Sequence, residues 1–387
     1  MVLIGNRGMG KTVTLGMIRE QAERSGFVTA ATGFDASSNN AQRLAAAIAE
    51  AVEPLHRAGA AWDRLRQRLG QLQIEVNAGV VKMSGRLANA QDTDGAGQRD
   101  VLRRVLVDGA RIAAERHRAG LALHIDELQE AGIPDLAVVA NALQDSLHEQ
   151  VPLVAFGAGL PTTPGRIMEA ASFTERFDFR PLGPLSDQDA TVALLEPALG
   201  VGVTWEDHSA QLIIDAAKGS PYLLQRMGDE VWQIANPTAA QRSITVEHAR
   251  KGLAEVAESL ATGMFPGRYQ RASNREKRLM AAIAQVVNDR GTARVRDVAL
   301  VMGEDQKQFS VPRQHLIDKG LIESRGRGEL GFTMAGFDAY VRHQADVPLL
   351  DSTHLERLHR ARKRSGPQNP IENSARTAKK PAPEIER

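Results

Sequence analysis

The first twelve residues constrain this chain more than any others. A short apolar run, Val2 to Ile4, feeds directly into Gly5-Asn6-Arg7-Gly8-Met9-Gly10-Lys11-Thr12. The spacing is G-x-x-x-x-G-K-[ST], the pattern of a loop that cradles phosphates. Glycines let such a loop turn with positive φ and bring backbone N–H groups against phosphate oxygens. A helix beginning at Lys11 adds its positive end to the same anion site. The expected nucleotide contacts are therefore Gly5, Asn6, Arg7, Gly8, Met9, Gly10, Lys11, Thr12 and Val13. Lys11 reaches the β- and γ-phosphates of ATP in this reading, and the Thr12 hydroxyl takes Mg²⁺. Residues 12–25 carry apolar Val13, Leu15, Met17 and Ile18 at helical spacing, so strand, loop and helix follow in the order the pattern needs.

The second informative stretch is Leu121-Ala122-Leu123-His124-Ile125-Asp126-Glu127. An apolar run ending in Asp-Glu reads as a buried parallel strand, which carries its last residues to the edge where open α/β sheets bind ligands. Asp126 is the expected Mg²⁺ ligand there. Glu127 is the expected general base that polarises the attacking water.

Other chemistries are excluded or unsupported. The chain has no cysteine, which removes disulfides, thiolate catalysis and cysteine metal sites. Its ten histidines lack paired ligand spacing. No G-x-S-x-G occurs, and no apolar run reaches the length of a membrane span. A cytoplasmic protein with no membrane partner is expected. Net charge is +1, but it is unevenly spread. Residues 273–387 hold 21 Lys+Arg against 15 Asp+Glu, whereas residues 1–272 hold 27 against 32. The positive surplus points to a polyanion in the C-terminal third.

In chain order, a strand is expected at 27–31 and a helix at 35–52, followed by one or two helical turns at 64–69. Alternation in 72–76 and 80–83 around Asn77-Ala78-Gly79 predicts a hairpin, an insertion at about 71–87. A loop at 91–97 precedes a helix at 99–118. After Glu127 come a helix at 136–150, a strand from Leu153 to Gly159, a helix at 164–171 and a strand at 177–179. That strand ends in small apolar residues, Gly157-Ala158-Gly159. Residues 186–258 read as all-helical, with Gly219-Ser220-Pro221 opening a helix at 221–235.

Residues 273–343 read as helices at 275–289, 294–302 and 309–319, then strands at 320–324 and 330–334. That order predicts a winged helix. Its third helix would present Gln308, Ser310, Arg313 and Gln314, with His315 beside them, to a DNA major groove. Arg325 and Arg327, at a glycine-rich hairpin tip, would touch phosphates. The surplus over 273–343 is small, 12 basic against 9 acidic residues, so a protein-binding winged helix stays open. From about 344 order should fade, with a basic helical turn at 355–364 and a Pro-rich disordered tail.

Together, Gly5–Thr12, 121–127, Arg176, 219–226 and the winged-helix pattern resemble bacterial and archaeal AAA+ ATPases, over roughly residues 1–345. The nearest relatives are the archaeal origin-recognition initiators and the signal-transducing STAND-type ATPases. The phrases Ile125-Asp126-Glu127-Leu128-Gln129 and Gly219-Ser220-Pro221-Tyr222-Leu223 add specificity. The resemblance implies an α/β fold: a RecA-like αβα P-loop core with a parallel sheet (1–185), a helical AAA+ lid (186–272), a winged helix (273–345) and a disordered basic tail (346–387). It implies ATP and Mg²⁺ as ligands, Arg176 as a finger toward a neighbouring subunit's nucleotide, with Arg166 as second choice, and Arg226 as a γ-phosphate contact from the lid. Relatives carry a segment before the first strand that covers the adenine. A weakly binding site or a sequence that starts inside a longer one are both expected alternatives. The implied function is a slow ATPase, a switch coupling ATP to double-stranded DNA, with ATP-dependent homo-oligomers as a further expectation. The alternative is a nucleotide-binding scaffold for protein partners; a metabolic kinase has no legible acceptor pocket.

Overall fold

The computed structural model describes residues 1–36, 39–55, 60–77, 80–83, 95–115, 118–172, 176–238 and 242–365. Its contacts gather into two units, Met1–Ser259 and Leu260–Arg387.

In the first unit, β1 (Val2–Ile4) runs through the glycine loop into α1 (Lys11–Arg24), which returns to β2 (Phe27–Gly33). Next come α2 (Asn40–Val52), α3 (Ala60–Gln71) and a hairpin of β3 (Ile74–Asn77) and β4 (Val80–Met83). Then α4 (Gly95–Glu115) leads to β5 (Gly120–Asp126), α5 (Ile133–Leu147) to β6 (Leu153–Gly159), and α6 (Thr163–Ala170) to β7 (Phe179–Pro181). Five of these strands form one parallel sheet in the order β2-β5-β6-β1-β7. Neighbouring residues of a strand point to opposite faces. Val2 accordingly joins a large core with Leu44, Ile48, Leu102, Leu106, Leu121 and Leu123, while Leu3 packs with Leu15 and Ala158 beneath α1. Helices thus cover both faces of the sheet, the αβα arrangement of a RecA-like core. Each fully buried Leu or Ile contributes about 1.5–3 kcal/mol of transfer free energy.

Several boundaries differ from the sequence expectation for physical reasons. α2 starts at Asn40 because the Asn39 side chain caps it, accepting from Gln42 N–H. Residues 95–97, expected in a loop, form the first turn of α4, while 91–94 lie outside the described residues. The α3 segment is a full helix of 12 residues rather than a turn or two, because Trp62, Leu65 and Leu69 all bury. β7 lies at Phe179–Pro181 rather than 177–179, since its pairing runs from Val2↔Phe179 to Ile4↔Pro181. The expected hairpin pairs from Ile74↔Met83 to Asn77↔Val80; Ala78 and Gly79 of its turn lie outside the described residues.

The unit continues with α7 (Asp187–Gly200), β8 (Thr204–Trp205), α8 (Asp207–Ala217), α9 (Pro221–Ala235), β9 (Ser243–Ile244) and α10 (Val246–Ser259). This stretch is not purely helical: β8 and β9 pair in parallel through Thr204↔Ser243 and Trp205↔Ile244. Strands this short show no alternation that a sequence reading can use.

The second unit opens with a π-helical turn, Leu260–Met264, and α11 (Phe265–Gln270). It then runs α12 (Asn274–Val286), β10 (Ala293–Arg294), α13 (Val295–Met302), α14 (Ser310–Asp318), β11 (Ile322–Ser324), β12 (Glu329–Phe332) and α15 (Phe337–Ala345). Its three strands form an antiparallel sheet in the order β10-β12-β11. A capping box between Ser273 and Glu276 starts α12. The expected basic turn is a helix of 14 residues, α16 (Ser352–Ser365). The rest of the expected tail, 366–387, lies outside the described residues. Among the described residues no helix is long and apolar enough to cross a membrane.

One buried group makes the first unit's stability depend on pH. His124 of β5 is only 2% exposed, stacks on Phe156 at 5.3 Å, and neither ring nitrogen makes a well-formed hydrogen bond. Burial holds its pKa below the ordinary 6.5, and the Arg19 charge adds to this, against the nearby Ala122 and Ala30 backbone and the Glu23 carboxylate. A folded-state pKa below the unfolded value means the unfolded chain binds the proton more readily. The stabilisation is complete above about pH 6.5 and is lost as pH falls below it. Urea unfolding at pH 7.5 and 5.5 should therefore show lower stability in acid, and His124→Leu should shrink that difference. A difference unchanged in His124→Leu contradicts this origin.

Candidate functional site

The site forms where β1, β5 and β6 end together. Gly8 and Gly10 of the loop adopt φ of 84° and 79°, in the left-handed region. Gly10 is also the N-cap of α1, whose first turn holds no acidic residue, so its positive end stays open to an anion. Lys11 folds back across the loop and donates from Nζ to the Asn6 carbonyl at 3.0 Å. It is 8% exposed. Burial pushes the Lys11 ammonium below its usual pKa, while the Glu127 and Asp126 carboxylates pull it up and Arg7 pushes it down.

β6 lies between β1 and β5, yet the loop and the Asp-Glu pair still meet. The Thr12 hydroxyl donates to Asp126 Oδ2 at 2.6 Å. A hydroxyl and a carboxylate so placed fit Mg²⁺, which takes few protein ligands and completes its octahedron with water and substrate phosphates. Among the described residues no group of three or more His, Cys, Asp or Glu gathers as a metal cluster. Loop, lysine and hydroxyl–carboxylate pair together fit a nucleoside triphosphate with Mg²⁺.

Glu127 follows with φ 53°, unusual for a residue with a Cβ. Its N–H donates to Asp126 Oδ1 at 2.8 Å, and its carbonyl accepts from Glu130 N–H at 2.9 Å. Two neighbours went unforeseen as site residues. Gln129 donates from Nε2 to the Glu127 carboxylate and, at 3.3 Å, to Glu130, while its Oε1 accepts from Leu160 N–H at 2.9 Å. Glu130 pairs with Arg7 of the glycine loop at 3.2 Å. The sequence signal for both was their position just after the Asp-Glu pair.

The remaining expected residues are more scattered. Ser220 caps α9, and Tyr222 N–H donates to the Gly8 carbonyl at 3.2 Å, so the start of α9 rests on the glycine loop. Arg226, further along α9, pairs within its own helix with Glu230 at 3.3 Å and Asp229 at 3.9 Å. Arg176 is exposed just before β7; residues 173–175 beside it lie outside the described residues. Arg166 donates to the Ala131 carbonyl at 2.6 Å, and its Nε is buried without a partner, so it is held within its subunit. Met9 and Asn6 lie in the loop, and Val13 is 67% exposed on α1.

In the second unit, many of the expected DNA contacts are engaged locally. Gln308 accepts from Asp305 N–H at 2.7 Å, Ser310 donates to the Lys307 carbonyl at 2.8 Å, and Gln314 donates to Asp318 at 2.9 Å. His315 lies 3.4 Å from the buried Glu276. Arg325 is bound into the sheet, to Glu323 at 2.7 Å and to the Phe332 carbonyl at 2.9 Å. Arg327 is exposed at the hairpin tip, and Arg313 is half-buried on α14.

A domain family of unknown function (DUF8462) matches residues 262–341. No curated protein matches the chain. Among solved structures, the Thermotoga maritima RuvB Holliday junction branch migration motor is 14% identical, with a TM-score of 0.41 and coverage of 90% of this chain and 87% of that one. The Aeropyrum pernix Orc1 protein in complex with DNA is 15% identical, with a TM-score of 0.40 and coverage of 89% and 86%. Cdc6p from Pyrobaculum aerophilum is 16% identical, with a TM-score of 0.41 and coverage of 93% and 87%. Similarities this remote assign no residue a role; the class of fold rests on the sheet order and the glycine loop.

The glycine loop makes a direct prediction. A Cβ on Gly8 would sit 3.2 Å from the Tyr222 Cβ, at a φ that L-residues disfavour. Gly8→Ala should lower stability by about 1–2 kcal/mol and weaken ATP binding, read by urea melts and by calorimetry. Wild-type values in both would mean the loop does not need this conformation.

Proposed function

We propose that the chain is an ATP-dependent switch of the AAA+ type, which hydrolyses ATP in the first unit and couples its nucleotide state to DNA binding by the second. The observation that carries this reading is the meeting of Thr12 with Asp126, beside a buried Lys11, at the open end of α1. Lys11 and the loop N–H groups bind the phosphates. Thr12 and Asp126 hold Mg²⁺, which when bound neutralises charge on the β- and γ-phosphates. Glu127 accepts the proton of the attacking water. Arg226 reaches the γ-phosphate from the lid after exchanging its helix partners, and Arg176 serves a neighbouring subunit. The division proposed is core, lid, winged helix and tail, with α11, expected in the lid, grouping instead with the second unit. The helix–strand–helix–helix–strand–strand order of 274–332 supports the winged-helix reading.

Glu127→Gln tests the hydrolytic part. It should keep ATP binding and lower kcat by about 10²–10⁴-fold; unchanged turnover removes Glu127 from the base role. DNA binding has its own test. Phosphate contacts by Arg313 and Arg327 should make duplex affinity fall steeply with salt. Alanine at both positions should weaken binding by fluorescence anisotropy and flatten the salt slope, and an unaltered slope would place the DNA surface elsewhere.

A second reading, a nucleotide-binding regulator whose second unit docks on protein, draws on the exposed face of α14. There Val311 is 62% exposed while Gln314, His315 and Lys319 all have partners within the chain. Absence of duplex binding even at low salt, with ATP binding intact, would favour it.

A further inference from the structure

β6 is the strand that lies between the glycine loop and the Asp-Glu pair, yet its end, Gly157-Ala158-Gly159-Leu160, offers no polar side chain. The missing side chain has a packing origin. A Cβ on Gly157 would come within 2.6 Å of Leu128 Cδ1, so the glycine admits Leu128 against the strand. That contact lays Glu127–Glu130 over the end of β6 and brings Gln129 to the Leu160 N–H.

We infer that Gln129 is the positioning residue for the general base, tying the Glu127 carboxylate to the end of β6; this rests on the ATPase reading above. A primary amide suits the role because it presents both an acceptor and donors. Its oxygen is fixed by Leu160 N–H, a main-chain group that cannot swing away. Its nitrogen is thereby aimed at Glu127, with Glu130 as the second acceptor. The Glu127 backbone is held in the left-handed region, a strained conformation that persists only where the surroundings fix it. Through Glu130 the same amide touches the partner of Arg7, which places loop, base and strand end in one network. The polar group that β6 lacks is supplied from beside the base itself.

Gln129→Leu removes all three side-chain hydrogen bonds, to Glu127, to Glu130 and from Leu160, at similar volume. In the nucleotide-free chain, the Leu160 amide should lose hydrogen-exchange protection, since Gln129 Oε1 is its acceptor. In turnover, kcat should fall about 10- to 100-fold with the ATP Kd unchanged, as expected for a misplaced base. In a Glu127→Gln background the same change should cost nothing more, because Gln129 acts through Glu127. Gln129→Glu keeps the acceptor for Leu160 but sets a second carboxylate against Glu127. It should keep the Leu160 protection and still lose turnover, which separates positioning from local unfolding. Wild-type kcat in Gln129→Leu, or a loss that multiplies with that of Glu127→Gln, overturns the role. Unchanged Leu160 exchange in Gln129→Leu overturns the tie on which it stands. Absence of Lys11-dependent turnover in the wild-type chain refutes the ATPase reading, and this role with it, whatever the Leu160 exchange reports.

Discussion

The hydrogen bond between Thr12 and Asp126 joins the start of α1 to the end of β5. β6 separates β1 from β5, so the bond forms only if the glycine loop after β1 carries α1 across to Asp126 and β5 runs to its full length. Small residues in β6 make this possible. Gly157 and Gly159 leave room for Leu128 and for the Thr163 side chain, whose hydroxyl would lie 2.3 Å from a Cβ on Gly159. Leu128 and Thr163 thus pack directly on the backbone of β6 near the point where the three strands end.

Charge accounts for the rest of the site. A buried ammonium is costly unless carboxylates face it. Lys11 has two, Glu127 and Asp126, and both are held by hydrogen bonds to fixed partners. Arg7 opposes Lys11 but is balanced by Glu130. Arg7 is thus paired with Glu130, while Lys11 donates to the Asn6 carbonyl within reach of the two carboxylate charges. Under the proposed function, phosphate oxygens would compete for both cations.

Elements with strong local signals were legible in the sequence. The glycine loop, the apolar strand before Asp126, and α9 with its Ser220 cap all have one dominant determinant each. What stayed hidden depends on tertiary contact. β8 and β9 are too short to carry a period, α3 needed the burial of Trp62, and β7 was set by its register with β1. The same holds within the site. Gln129 was visible as a residue but not as a ligand of Leu160, because that bond exists only once Leu128 has packed on Gly157. Arg325, expected from sequence as a phosphate contact, has partners that the sequence did not reveal, Glu323 and the Phe332 carbonyl.

The central claim is that the loop around Lys11 binds and hydrolyses ATP and that DNA senses it. Its most direct test is ATP turnover by the purified chain with and without duplex DNA, beside Lys11→Ala. Turnover that rises with DNA and vanishes in Lys11→Ala is the predicted result. Turnover equal in Lys11→Ala, or no ATP binding by the wild-type chain, would contradict the account.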